Sequence, residues 1–104
     1  LDGLIVPYRD QDVDQSSCYV MPVMLTDPDR RDDLRTALRE RQNAQSSILY
    51  PAIHEFSAYS GKYPAEGMER TELATRSEVT IPLYPHMTAE EQERVITAIE
   101  EFLA

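Results

Sequence analysis

Residues 79–103 read VTIPLYPHMTAEEQERVITAIEEFL, and both periodicities that set the fold are in them. Val79, Ile81 and Leu83 recur at period two, as on a strand with one buried face. Pro82 and Pro85 place that strand near an edge or bulge and end it quickly. Thr88-Ala89-Glu90-Glu91 then has the form of a capping box, with the Thr88 hydroxyl serving the N3 amide and Glu91 reaching back. Val95, Ile96, Ile99, Phe102 and Leu103 follow at helical spacing and mark one face of a terminal helix.

Working outward from this strand and helix, Ser17–Leu25 (SCYVMPVML) predicts a strand that is apolar on both faces and so covered on both sides. Pro22 puts it at an edge or a bulge. Cys18 falls in this run and is read as a buried structural thiol. Asp27-Pro28 opens a helix, with Asp27 as N-cap and Pro28 in the first turn. Its acidic residues cluster at the N-terminal end and Arg35, Arg39 and Arg41 towards the C-terminal end, as the helix dipole favours. Leu34, Ala37 and Leu38 form its apolar stripe, and Asn43 is a suitable left-handed stop. Gln45–Tyr50 predicts a second strand, residues 52–67 a long loop, and residues 68–78 a short helix. Residues 1–16 show no sustained periodicity and read as a lead-in, with a short extended piece at 4–6. The order is α+β: a small three-stranded sheet with helices packed mainly on one face.

A chain of 104 residues, 41% hydrophobic and 28% charged, has the size and composition of one globular domain. Its net charge of -9 opposes binding to nucleic acid or to an anionic membrane surface. One cysteine allows no intrachain disulfide, and no run approaches the ~20 apolar residues of a membrane span. A cytoplasmic protein is expected.

For chemistry, the stretch that stands out is residues 48–56, ILYPAIHEF. A short apolar strand runs into a proline turn that presents His54 between Ile53 and Phe56. Tyr50, Tyr59 and Tyr63 add aromatic bodies with polar tips. His54 and His86 lie too far apart for metal-ligand spacing, and no glycine-rich phosphate loop is present. Cys18 has no activating charge near it in sequence. Lys62, the sole lysine, sits in a Gly-Lys-Tyr turn without an apolar pocket to depress its pKa.

The runs CYVMPVML, RRDDLRTALRERQNAQSSILYPAIHEFSAY and VTIPLYPHMTAEEQERVITAIEEFL together resemble the C-terminal portion of the DegT/StrS-type sugar aminotransferases. The most specific pieces are Tyr50-Pro51 followed two residues later by His54, and the Pro82–Glu91 element. Members often carry glycine where Asn43 stands, and many carry histidine where Leu49 stands, so no role is carried over from that histidine. The resemblance implies the small C-terminal domain of a fold type I, pyridoxal-phosphate-dependent enzyme, covering residues 17–104 with residues 1–16 leading in from a large domain. That absent domain would bring the cofactor-bearing lysine. This chain alone is therefore expected to bind no cofactor and to have no catalytic residue of its own. It would cap the active-site cleft, with His54 and Tyr50 on the side of a keto-sugar or keto-cyclitol that receives an amino group from an amino-acid donor. The resemblance also implies a homodimer. The alternative is a free-standing α+β interaction or ligand-sensing module.

Overall fold

The computed structural model describes residues 1–8, 10–64 and 66–104. Arg9 of the lead-in and Ala65 of the long loop lie outside the described residues, and of residues 10–12 only the backbone is described. Strands β1 (Leu4–Ile5) and β2 (Met21–Leu25) are followed by helices α1 (Arg31–Gln42) and α2 (Glu69–Ser77), then by strand β3 (Glu78–Ile81) and helix α3 (Ala89–Leu103). Short 3₁₀ turns lie at Asp10–Gln15, Pro28–Arg30 and Ile53–Glu55. Among the described residues the sheet has three strands in the order β1-β2-β3, and both pairings are antiparallel.

The register decides which residues form the core. Val23 lies opposite Val79, Met21 opposite Ile81 and Leu4 opposite Leu25, so these six share one face. Against this face pack Leu34 and Leu38 of α1 and Val95, Ala98 and Ile99 of α3, all buried. Leu34, Leu38 and Val79 are fully enclosed, and burying each leucine contributes about 1.5–3 kcal/mol. Ile96, assigned above to the apolar face of α3, is instead 45% exposed; Ala98 takes the core position, where only a small residue is seated. Leu83 likewise lies beyond the end of β3 and is exposed.

Helix ends follow their local signals. The Asp27 carboxylate accepts the Asp29 N–H at 3.1 Å, capping the Pro28–Arg30 turn, and α1 proper starts only at Arg31 without a side-chain cap. Asn43 adopts φ 52°, and its N–H and that of Ala44 return to Arg39 and Leu38 carbonyls. At α3 the capping box is complete: Thr88 N–H donates to Glu91 Oε2 at 2.8 Å, and Glu91 N–H donates to Thr88 Oγ1 at 3.2 Å. These bonds, with the Thr88 backbone first and the Thr88 and Tyr84 hydroxyls next, hold the Glu91 carboxyl below its ordinary range. Arg30 ties the start of α1 to the end of α3, donating to the Phe102 carbonyl at 2.9 Å with its guanidinium 4.4 Å from the Phe102 ring centre.

Three strand expectations need correction. The Ser17–Leu25 strand begins only at Met21, and Cys18, at φ 48°, holds a left-handed conformation no strand can include. Cys18 is therefore exposed rather than a buried thiol. Pro22 lies on the central strand, not an edge. The Thr80 N–H and C=O are both taken by Ser47, on the side away from β2, so Pro22 opposite needs no donor towards β3. Gln45–Tyr50 forms no strand but a single bridge, Ser47 to Thr80. The third strand is instead the short piece at Leu4–Ile5. It reaches β2 through Gly3, at φ +89°, where an added Cβ would lie a tight 3.1 Å from Leu103 Cδ2.

Candidate functional site

Beyond the Ser47 bridge, the chain from Ile48 to Phe56 is held by polar contacts from one continuous element, since α2 passes into β3 without a loop. Leu49 N–H donates to Glu78 Oε2 at 3.0 Å. Glu78 is buried, and its other carboxylate oxygen accepts the Thr80 hydroxyl. Pro51 then turns the chain, Ala52 is buried as an anchor, and Glu55 N–H closes the 3₁₀ turn on the Ala52 carbonyl at 3.0 Å.

His54 and Tyr50 share this turn but not an environment. The His54 side chain is 15% exposed, and its Nε2 lies 3.0 Å from Glu72 Oε1 on α2. The imidazole is thus drawn inward by a carboxylate, which orients the ring and makes one edge of it the turn's attachment to α2. Tyr50 is 76% exposed and forms no side-chain hydrogen bond among the described residues. Around them Ile53, Phe56, Tyr59 and Tyr63 are exposed, the last two with ring centres 6.2 Å apart. Exposed aromatic and aliphatic side chains at this density along one segment, beside a fixed polar turn, suit contact with another molecule or domain.

Glu72 and Glu78 were not singled out in sequence, because each acts on a residue far along the chain. The sequence reading puts both acids in the 68–78 helix, where nothing marks either as reaching a distant residue. His54, Glu55 and Glu72 also bring ligand atoms within 4.8 Å of one another, a grouping invisible to sequence spacing. Glu55 is exposed, and His54 Nε2 is already engaged by Glu72, so the geometry reads as an imidazole–carboxylate clasp. Two clefts of about 600 and 620 Å³ flank Asn43–Ser46, and neither is lined by Tyr50 or His54. In the first, partial burial and then Glu91 raise the Tyr84 phenol above its ordinary range, against a lowering by Arg94. His86, in the turn before α3, is exposed at φ 70°. Lys62 is exposed too, in a turn closed by its N–H on the Tyr59 carbonyl at 3.0 Å. No described helix is long and apolar enough to cross a membrane.

Comparison with known proteins agrees with the resemblance and extends it towards the N-terminus. The chain is 32% identical over 104 residues to the dTDP-3-amino-3,4,6-trideoxy-alpha-D-glucose transaminase of Streptomyces venezuelae, covering 98% of this chain and 26% of that one. Its fold matches NtdA of Bacillus subtilis, solved with bound cofactor PMP, at TM-score 0.79 and 25% identity over 98% of this chain and 23% of that. TlmJ, an aminotransferase of Streptoalloteichus hindustanus, matches equally, at TM-score 0.79 and 25% identity over 99% of this chain and 27% of that. The chain thus spans about a quarter of the length of these relatives, and the match includes β1 as well as the elements after it. Residues 1–100 match the DegT/DnrJ/EryC1/StrS aminotransferase family, and the chain belongs to that family.

Proposed function

We propose that this chain is the small C-terminal domain of a pyridoxal-phosphate-dependent aminotransferase that aminates a keto-sugar or keto-cyclitol, with residues 1–16 leading in from a large domain. The observation that carries the assignment is the clasped turn, in which His54 is fixed by Glu72 while Tyr50 projects beside it, within a chain of this family. A sugar is recognised through hydroxyl groups, and a turn with a fixed imidazole and a free phenol offers hydrogen-bonding partners at set positions. In this role the domain caps the cleft and shapes its sugar side. A cytoplasmic homodimer is the setting we assign it.

Pyridoxal phosphate supplies the electron-withdrawing ring through which an amino group passes from an amino-acid donor to a keto acceptor. The residues of this chain do not fit a site that holds it. Lys62, the sole lysine, stands on an exposed turn with no enclosing apolar surface. The chain by itself is therefore expected not to transaminate. Titration with pyridoxal phosphate followed by borohydride should leave Lys62 unmodified at stoichiometric cofactor; a trapped one-to-one adduct there would overturn this.

In the intact protein, His54→Ala is expected to raise KM for the keto-sugar about tenfold, the loss of roughly one well-placed hydrogen bond. KM for the amino donor should be unaffected. Unchanged sugar kinetics would remove His54 from the site.

A further inference from the structure

We propose that Glu78 is the positioning residue of the Tyr50–His54 turn, its carboxylate standing where a strand's backbone carbonyl would otherwise hold the chain. The register makes this specific. Ser47 and Thr80 are directly opposed, so two residues further along an antiparallel ladder Leu49 would face Glu78. A regular ladder would send the Leu49 N–H to the Glu78 carbonyl. It goes instead to Glu78 Oε2, at 3.0 Å, while Thr80 seats the other carboxylate oxygen.

Two consequences follow. The second strand anticipated at Gln45–Tyr50 stops after one bridge, because a side chain has captured its next donor. The chain also departs from the sheet at this point, one residue before Tyr50, instead of running on beside β3 as an added strand. Glu72 then catches His54 further along, so α2 and β3 hold the segment at three successive points: Thr80 on Ser47, Glu78 on Leu49 and Glu72 on His54. Among the described residues Glu78 makes no hydrogen bond to Tyr50 or His54 and acts through the Leu49 backbone. A carboxylate is an expensive group to bury, even hydrogen-bonded, and an apolar residue of similar length would fill the position at no such cost. Its use here is explained by control of the turn.

This inference rests on the turn facing the sugar, and its test separates the two. In the intact protein, Glu78→Met keeps side-chain length but removes both acceptors, whereas Glu78→Gln keeps one oxygen for Leu49. Glu78→Met is expected to leave the melting temperature unchanged or higher, and to speed amide exchange at Leu49 at least about tenfold with Val23 and Val79 unaffected. It should raise KM for the keto-sugar about tenfold while kcat and donor KM stay within about twofold. Glu78→Gln should restore near-normal values. Should Glu78→Met fail to fold, Thr80→Val, which removes only the hydroxyl seating the carboxylate, should shift Leu49 exchange and sugar KM in the same direction by less. Unchanged Leu49 exchange in the variant that folds overturns the proposal, as does faster exchange with sugar KM unmoved while His54→Ala raises it. If His54→Ala and Glu78→Met both leave sugar KM alone while Leu49 exchange rises, the sugar assignment fails and the positioning geometry stands.

Discussion

Two regions of this small fold are held together by different physics. The face formed by Val23, Leu25 and Val79 packs against Leu34, Leu38, Ala98 and Ile99, a cluster of buried apolar side chains. The segment from Ser47 to Phe56 is held by a backbone bridge, two carboxylates and one buried alanine. Apolar packing is insensitive to small rotations but strongly dependent on volume. Hydrogen bonds to carboxylates are weaker in net stability yet fix direction. The first region therefore sets whether the domain folds, and the second sets where one turn points.

The largest effect should come from breaking the first region. Leu38→Ala removes a fully enclosed side chain between α1 and the sheet, and should cost about 2–5 kcal/mol in chemical denaturation. The same substitution should leave the relative exchange rates within 47–56 in their native order.

A smaller loss, about 1 kcal/mol, is expected for Gly3→Ala, because the left-handed φ and the Leu103 contact both oppose a Cβ. It should appear as earlier melting with selective deprotection of β1 amides, since Gly3 seats that strand.

Breaking the second region should be quieter in global stability. Glu72→Leu unclasps His54 and should lower stability by roughly 0.5–1.5 kcal/mol, while amide exchange in the Ile53–Glu55 turn rises well beyond that in α1. A uniform rise across both would mean the turn is supported by the core after all.

The division between the regions also explains what could be read from sequence. Helix caps depend on residues within one turn of each other, so Asn43 at the end of α1 and the Thr88–Glu91 box of α3 are legible as written, while Asp27 caps the Pro28–Arg30 turn that leads into α1 rather than α1 itself. Apolar periodicity likewise gave Leu34, Leu38, Val95 and Ile99. The 45–50 strand was misplaced because its pattern is that of a strand, while the side chain that interrupts its ladder lies 29 positions away. Cys18 was misplaced because nothing local announces a left-handed cysteine. Within the site, His54 and Tyr50 stood out by their company of proline and aromatics, yet Glu72, 18 positions on, has no sequence mark linking it to His54.

The smallest effect concerns pH. Glu91 has its folded pKa depressed, so its contribution is present above the ordinary carboxylate range and is lost as pH falls through the folded value. The melting temperature of the native protein should exceed that of Glu91→Gln at neutral pH, and the gap should narrow on acidification below about pH 4. A gap that is constant with pH would show that the carboxylate's charge plays no part in the cap.

The most direct measurement of the functional account is hydrogen exchange on the intact protein with and without a saturating keto-sugar acceptor, resolved along residues 44–67. Sugar binding should slow exchange across 50–56, centred on the Ile53–Glu55 turn, and leave the core amides of Val23 and Val79 unchanged. Protection that falls elsewhere, with 50–56 exchanging at the same rate in both states, would contradict the assignment of this turn to the sugar site.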